Sequence, residues 1–385
     1  MQTSNTQSLM RRTIESASPG TKLQRAQVNQ GTDPGRLTAP RAPGEPIRVM
    51  LLVSSLERGG AERQVVLLAN HLDRRRFEVT VCSLSPEVPL AVDLIDRDRV
   101  LTVVAKRWRY DLGAVTRVAG LMRRLRTQMV HAFLFDAEMV ARLAAKLAGV
   151  PIVVSSERNS NYVRPVIHSL CLRLTSPWSA AMIANSHAGK RFTVRTLGVP
   201  ADRIHVVHNG VDTDRFRPRE SHRLRSALGI APDHPLVGMV ASFKPQKNHL
   251  MFLRMAGRVL ERIPETRFVC VGERLCAGEG AIGATGSGAR VHAQSAEYHR
   301  TIASALDGLA LGDRVMMPGK WDDMPDFYNA CDLTVLTSRH EGTPNVLLES
   351  MACGVPVVAT EVSDNADILP EGCGGFLVQL DDDEG

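Results

Sequence analysis

The sequence predicts an α/β protein made of two doubly wound parallel sheets, one in each half of the chain. Its 385 residues are enough for two α/β domains of ordinary size, each with its own core. Short apolar runs alternate with longer amphipathic segments in both halves, which is the pattern of repeated β-α units. This alternation is interrupted between Asp212 and Pro232, where Pro218 and an arginine-rich segment break the apolar pattern. We therefore expect domains at 46–215 and 216–385.

The first domain is expected to begin with the apolar strand Ile47–Val53. Residues 1–45 are rich in Gln, Ser, Thr, Gly and Pro and have little apolar periodicity, so we interpret them as a disordered leader. After the first strand the pattern predicts helix 61–72, strand Phe77–Ser83, helix 113–127, strand 129–135, helix 136–148 and strand 151–156.

The second domain repeats the alternation with five further buried strands. They are predicted at Leu236–Ala241, Arg267–Val271, Arg314–Met317, Leu333–Thr337 and Val357–Thr360. A stretch at 278–283 matches the dinucleotide fingerprint G-x-G-x-x-G, but it lies several residues past its strand and runs into more small residues instead of an apolar helix. We interpret it as a mobile insertion loop.

Composition narrows the class of protein. The seven cysteines are scattered without a C-x-x-C pair, which argues against a zinc site or a disulfide framework and favours a reducing compartment. The sequence has no signal-peptide core and no run of 18 apolar residues. We therefore expect a cytoplasmic protein that does not span a membrane.

Charge is divided unequally between the two halves. Residues 46–220 carry 27 Lys or Arg against 16 Asp or Glu, whereas residues 221–385 carry 14 against 22. A basic first domain suits an anionic membrane surface or a phosphate-bearing acceptor. The alternative is that these charges are only solvated helix faces. Nucleic acid is not expected as a partner, because no binding motif is present and only 4% of residues are aromatic.

The most informative stretch contains two glutamates, Glu341 and Glu349, eight positions apart between two predicted strands. Thr343 is the expected N-cap of a helix, Pro344 suits its first position, and Gly354 ends it. The first glutamate then lies in a loop and the second inside the helix.

That geometry suits a nucleotide-sugar. A diphosphate can bind the amides at a helix N-terminus, on the positive end of the helix dipole. Glu349 would lie roughly 7 Å along the helix from Pro344, at about 1.5 Å per residue, where it could accept hydrogen bonds from ribose hydroxyls. Glu341, on the loop side, would face the sugar. The alternative is a surface helix with two solvated glutamates.

The run from Glu341 to Thr360 resembles the E-x7-E hallmark of the retaining GT-B glycosyltransferases of family 4, with Ser350 in the place of the usual Ala. The resemblance covers roughly residues 47–380 and implies two Rossmann-like domains facing a central cleft. Other family-like pieces occur in the expected order, at Gly59–Glu62, Ala184–Ser186, Val207–Asp212 and Lys244–His249.

The resemblance also implies donor-side residues. Lys247 corresponds to the family's phosphate-binding lysine and, with Glu341, is expected to carry catalysis. The family usually has an arginine where this chain has Ser242, and Lys244 is expected to substitute for it without the bidentate fork. The expected donor-binding set is Gly59, Gly60, Lys244, Lys247, Glu341, Thr343, Asn345, Val346 and Glu349.

The glycine pair and the acceptor side leave alternatives open. Gly59 and Gly60 could let bare backbone approach a ligand, or they could simply form a tight turn before Glu62. Many relatives carry a histidine where this chain has Glu157, Arg158 and Asn159, so these three and Glu62 are the expected acceptor-side residues, with Glu157 as a catalytic candidate.

His131 is the second catalytic candidate on this side. It is predicted to alternate with Phe133 and Phe135 on one strand, near the edge where open α/β sheets bind ligands. A core histidine is an equally good interpretation.

By resemblance, the chain is expected to transfer a sugar from a UDP- or GDP-sugar to a glycan or lipid-linked acceptor, with retention of configuration. No essential metal is expected, because Asp212-Thr213-Asp214 belongs to the family's crossover segment instead of a metal-binding D-x-D. The helices that usually finish the second domain are not found in the sequence.

Two other functions remain open. One is a phosphorylase or sugar-phosphate synthase of the same fold, for which Arg158 and Lys190 could form a phosphate pocket. The other is an inactive scaffold that only binds a nucleotide or a partner.

Overall fold

The computed structural model describes residues 44–108, 111–158, 165–272, 287–370 and 372–382. Asn159, the glycine-rich stretch 278–283 and nearly all of the expected leader lie outside these residues. Residues from Ala42 onward form one compact unit, to which both sheets belong.

The first sheet has seven parallel strands in the order β3-β2-β1-β4-β5-β6-β7. Its strands are β1 (Ile47–Val53), β2 (Phe77–Ser83), β3 (Leu101–Val103), β4 (Met129–Phe133), β5 (Ile152–Glu157), β6 (Ala181–Ala184) and β7 (Ile204–Val206). The helices of this half are α1 (Gly60–His71), α2 (Arg97–Val100), α3 (Leu112–Arg124), α4 (Phe135–Ala148), α5 (Val166–Thr175) and α6 (His187–Leu197).

The second sheet has six parallel strands in the order β10-β9-β8-β11-β12-β13. They are β8 (Leu236–Val240), β9 (Arg267–Val271), β10 (Val315–Gly319), β11 (Leu333–Leu336), β12 (Val357–Thr360) and β13 (Gly375–Val378). The helices are α7 (Arg223–Ala227), α8 (His249–Arg262), α9 (Ser287–Gly308), α10 (Met324–Ala330), α11 (Asn345–Ala352) and α12 (Asn365–Ile368).

Each sheet is covered on both faces, which is why its strands are continuous apolar runs. In β1, Met50 and Leu52 pack with α3 and α4, whereas Leu51 and Val53 pack with α1 on the other face. The second sheet has the same three layers, with separate apolar clusters on its two faces. The predicted fold of two doubly wound sheets is confirmed.

The strand order reverses between β1 and β4 in the first sheet and between β8 and β11 in the second. Ligands of open α/β sheets bind at such reversals, beyond the carboxyl ends of the strands. Both reversals hold a residue with positive φ that is not glycine, Leu134 after β4 and Asn248 after β8. Asparagine tolerates this left-handed conformation, whereas the backbone of Leu134 is strained by about 1–3 kcal/mol, and such strain is found preferentially at functional sites.

Leu134 also corrects one prediction. Its φ of 73° ends β4 at Phe133, so Phe135 opens α4 and does not continue the strand with His131. The short strands β3, β6, β7 and β13 were not predicted as strands, because runs of three or four residues give little periodicity. Among the described residues, no helix is both long and apolar enough to cross a membrane.

Candidate active site

The loop between β11 and α11 carries the first glutamate of the E-x7-E pair. Glu341 accepts a hydrogen bond from Lys247 at 2.5 Å, and its own backbone amide donates to Ser363 at 3.0 Å. The two charged side chains are 9% and 18% exposed. Lys247 ends a turn of 3-10 helix that follows β8, and Glu341 lies in the loop that follows β11. The ion pair therefore lies where the strand order of the second sheet reverses.

The start of α11 differs from the prediction. The helix begins at Asn345 with Pro344 at the N-cap, and no side chain caps it. Thr343 is not the N-cap, because its hydroxyl donates to the carbonyl of Asn185 in the first domain. Val346 packs into the apolar cluster beside β11, so its backbone amide is what it can offer to a ligand.

Glu349 lies inside α11 and is buried. One of its carboxylate oxygens accepts a hydrogen bond from the Tyr328 hydroxyl at 2.8 Å. Burial raises the pKa of Glu349, and the positive charge of Arg63 on α1 opposes this shift. Glu349 and Arg63 line a cavity of about 140 Å³ between α1, α11 and the chain segment around Val211.

The predicted glycine pair lies at the junction between the two domains. The Gly60 carbonyl accepts a hydrogen bond from the Asn345 side chain at 3.1 Å. A Cβ at Gly59 would lie 2.0 Å from the Glu62 carboxylate. Burial raises the pKa of Glu62, while the Lys244 charge acts in the opposite direction, so an acid of the first domain lies near a cation of the second.

Amide side chains join the acceptor-side residues to α11. Arg158 donates to the Asn209 side chain at 3.0 Å, and Asn209 in turn donates to Asn345 at 2.7 Å. Burial lowers the pKa of Arg158 to about 10, which leaves it charged at neutral pH. Glu157 is buried at the end of β5 and accepts from the Arg158 backbone amide at 3.1 Å.

His131 lies in β4 beneath this group. Its Nε2 is 2.7 Å from the Ser156 hydroxyl, and its ring lies against Phe133 with 4.2 Å between centroids. Burial, together with the nearby Arg158 charge, lowers the pKa of His131 to about 3. A histidine that is neutral at physiological pH and bonded to a buried serine fits the core interpretation better than an acid-base role.

Sequence reasoning missed Asp364 and Asn185, which join the two domains. The Asp364 carboxylate accepts hydrogen bonds from the backbone amides of His187 and Ala188 at the start of α6. A Cβ at Gly342 would lie 2.4 Å from the Asn185 side chain, so the loop of Glu341 can approach the first domain only with glycine there. The family-like motif Ala184–Ser186 was a sequence signal for Asn185, whereas no sequence pattern pointed to Asp364.

Among the described residues, no group of three or more His, Cys, Asp or Glu side chains is placed to hold a metal ion. The ammonium of Lys247 lies beside the loop that precedes α11, and the charge of Lys244 acts on Glu62 of the first domain. This arrangement suits an anionic ligand in the cleft between the sheets.

Comparison with known proteins agrees with this geometry. Residues 58–215 match the family model described as Glycosyltransferase Family 4, and residues 234–385 match the model described as Glycosyl transferases group 1. The chain is 22% identical to Anabaena HepE in complex with UDP-glucose, with a TM-score of 0.70 over 87% of this chain and 86% of that chain. At this identity the similarity shows the fold, which is GT-B.

Two curated relatives are also similar. UDP-Gal:alpha-D-GlcNAc-diphosphoundecaprenol alpha-1,3-galactosyltransferase of Escherichia coli is 25% identical over 71% of this chain and 67% of its own length. D-inositol 3-phosphate glycosyltransferase of Acidothermus cellulolyticus is 28% identical over 88% of this chain and 80% of its own length. The two family matches identify the chain as a glycosyltransferase, with a family 4 domain followed by a group 1 domain on the GT-B fold.

Proposed function

We propose that this glycosyltransferase moves a hexose from a nucleoside diphosphate sugar to a glycan or lipid-linked acceptor, with retention of the donor's anomeric configuration. The observation that carries the proposal is the Lys247–Glu341 ion pair beside the start of α11, at the strand reversal of the second sheet. Retention is supported by the resemblance of the Glu341–Glu349 run to retaining enzymes.

The donor diphosphate would replace Glu341 as the partner of Lys247. The ammonium would then stabilise the charge that develops on the departing phosphate, together with the first amides of α11. Lys244, which is exposed and close to Glu62, would add positive charge from the outer side of the cleft. With these groups in place, we propose that no essential metal takes part.

The two glutamates would divide the rest of the donor. Glu341 would exchange the ammonium for hydroxyls of the sugar, whereas Glu349 would accept from the ribose. The Tyr328 hydroxyl donates to one Glu349 oxygen, and Glu349 also lines the cavity beside α1, so the ribose would bond the other oxygen. Because its present partner is a neutral hydroxyl, the Glu349 carboxylate can accept a further hydrogen bond from a ribose hydroxyl without the separation of an ion pair.

The ligands and names of the similar proteins narrow the donor and acceptor that we propose. HepE was solved with UDP-glucose, and the name of the Escherichia coli relative includes UDP-Gal and a diphosphoundecaprenol acceptor. The basic first domain suits an acceptor that carries phosphate, as that lipid-linked sugar does. We therefore propose a UDP-sugar first, with a GDP-sugar as the second choice, and a phosphate-bearing acceptor.

The alternative functions have less support. The phosphate pocket expected from Arg158 and Lys190 has less support because both side chains have neutral protein partners: Lys190 donates to the Ile204 carbonyl at 2.8 Å and Arg158 donates to Asn209. An inactive scaffold would have no need of the charged pair of Lys247 and Glu341, which loses solvation when it is buried.

The test is a donor screen followed by product analysis. The melting temperature should rise with one of UDP-glucose, UDP-galactose or GDP-mannose, because a ligand of the native state stabilises it. With that donor, nuclear magnetic resonance should show that the released or transferred sugar keeps the donor's anomeric configuration. An inverted product, or the absence of any shift with all three donors, would overturn the proposal.

A further inference from the structure

The outward face of α5 is apolar. Val166 and Leu174 are 85% and 67% exposed, and Ile167 and Leu170 lie between them on the surface. At about 100° per residue these four side chains occupy an arc of about 100° on the helix. Leu172 and Thr175 lie on the opposite side and are buried against the domain. The helix is therefore apolar toward solvent as well as toward the core.

The patch continues beyond α5. The short 3-10 helix Ser176–Trp178 follows α5 directly, and Trp178 is partly exposed. Leu147, at the end of the neighbouring α4, is also exposed. The α5 patch consists of Val166, Ile167, Leu170, Leu174, Trp178 and Leu147. Clusters of exposed large apolar side chains on soluble proteins often mark interaction surfaces.

Positive charge surrounds the α5 patch. Lys146 places its ammonium 4.3 Å from the Trp178 ring centroid, Arg173 is exposed on α5, and Arg123 reaches the Leu147 carbonyl from the end of α3. From residue 112 to residue 198 the sequence has 12 Lys or Arg against 3 Asp or Glu. Two of these three acids, Glu138 and Glu157, are buried.

We propose that the α5 patch is a docking surface for an anionic lipid bilayer. Leucine, isoleucine and tryptophan on one face with lysine and arginine at the rim is the pattern of helices that lie in the membrane interface. Anionic lipid headgroups attract the rim, and the apolar side chains enter the boundary between headgroups and acyl chains.

A second copy of the chain fits this surface less well. In a two-fold interface each copy uses the same surface, so the basic rim of one copy, with Arg173 and Lys146, would meet the basic rim of the other, and like charges in contact oppose association. A bilayer with anionic lipids supplies the opposite charge instead.

The position of α5 relates docking to the cleft. In a β-α unit of a parallel sheet the helix starts at the edge where the preceding strand ends. β5 ends at Glu157, and α5 starts at Val166. By the same rule the ends of α4 and α5, with Leu147, Leu174 and Trp178, lie at the opposite edge, so docking places the outer face of these two helices toward the bilayer. The exposure and the charge of this face do not depend on the reaction that the cleft performs.

The experiment is vesicle sedimentation of the full chain. Vesicles of phosphatidylcholine, with and without phosphatidylglycerol, are compared for the wild type, Ile167→Ser/Leu174→Ser and Lys146→Gln/Arg173→Gln. The matched control is Leu309→Ser/Phe376→Ser, which changes two exposed apolar residues of the second domain. Because all these side chains lie at the surface, folding should be little affected, and circular dichroism checks this.

We expect the wild type to bind the anionic vesicles and the control to bind equally. The serine variant should lose binding by a factor on the order of ten or more. In the wild type, binding should weaken but persist as the Debye length falls from about 10 Å at 0.1 M salt to about 3 Å at 1 M. The Lys146→Gln/Arg173→Gln variant should bind weakly at both salt concentrations.

A second readout locates the contact. Fluorescence of Leu170→Trp should be quenched by brominated lipids, whereas that of Phe376→Trp should not. Equal binding by the serine variant, or no binding by the wild type, would overturn the proposal. A concentration-dependent dimer seen by light scattering, and lost in the serine variant without any vesicle binding, would assign the surface to a second copy and also overturn it. All α5 variants should keep the thermal shift with the nucleotide-sugar, which separates this test from the proposed reaction.

Discussion

The strand reversals of the two sheets are built from different chemistry. At the reversal of the second sheet, Lys247 and Glu341 hold opposite charges in direct contact. At the reversal of the first, His131 is held neutral by burial, and Arg158 is bonded to the amide of Asn209. The second reversal therefore suits the charged ligand that we propose, the diphosphate of the donor, which would exchange partners with this ion pair. The first joins the two domains through hydrogen bonds, and it is where we propose that the acceptor binds.

The largest difference between the two regions is expected from Lys247→Ala. It removes the group proposed to stabilise the leaving diphosphate, so kcat/KM should fall by about 10²–10³, or ~2–4 kcal/mol in the barrier. The matched control, Lys320→Ala, removes an exposed ammonium of the same domain and should change little. Equal kinetics for the two variants would break the contrast, because the charge at the reversal would then be irrelevant to the reaction.

The second largest effect is expected from Glu349→Ala. It removes a carboxylate proposed to accept from the ribose, and a charge-assisted hydrogen bond of this kind contributes about 1.5–3 kcal/mol. Calorimetry should therefore show weaker nucleotide-sugar binding, whereas Glu341→Ala should lower turnover more than binding. Glu265→Ala, at an exposed position before β9, is the control. Unchanged affinity in Glu349→Ala would remove this residue from the donor site.

Asp364→Ala tests the junction between the regions. Its carboxylate caps the first amides of α6 from the second domain, and the loss of a helix cap costs about 0.5–2 kcal/mol. The melting temperature should fall, and small-angle scattering should show a larger radius of gyration as the domains separate. Asp367→Ala, three residues further along and exposed, should do neither. A lower melting temperature without expansion would mean that the contact stabilises α6 alone.

The pH dependence of stability should have opposite signs in the two regions. His131 has a lowered pKa in the folded state, so the native protein binds fewer protons there and loses stability as pH falls below about 6.5. Glu349 has a raised pKa, so its contribution is present below about pH 4.5 and is lost as pH rises through the folded pKa. Urea denaturation of His131→Asn and Glu349→Gln should reduce the acid and the alkaline dependence respectively. The reverse assignment would contradict the burial of these two groups.

The smallest effect is expected at Lys244. Its side chain is exposed, unlike that of Lys247, so Lys244→Ala should lower kcat/KM by less than Lys247→Ala does. Ser242→Arg restores the arginine that relatives usually have and should be neutral or favourable. A loss in Lys244→Ala as large as that in Lys247→Ala would show that both ammonium groups contact the diphosphate.

Periodicity was sufficient to predict the sheets, because strands buried on both faces are long apolar runs such as Ile47–Val53. It was not sufficient for the contacts between domains. Thr343 looked like a helix cap since its neighbours allowed it, but its hydroxyl reaches Asn185, 158 positions away in the sequence. The contact of Asp364 could not be predicted for the same reason, since its partners are 176 and 177 positions away in the sequence. Local patterns carry no information on such pairs.

We propose that Lys247 and Glu341 form the donor site, and calorimetric titration with UDP tests this assignment. The wild type and Lys320→Gln should bind UDP with equal affinity, while Lys247→Gln should bind at least about tenfold more weakly, or ~1.4 kcal/mol. Glu341→Gln should bind UDP at least as tightly as the wild type, because the nucleotide no longer has to displace a carboxylate from the ammonium. Equal affinity for UDP in the wild type and in Lys247→Gln would show that Lys247 does not bind the diphosphate and would contradict the proposed donor site.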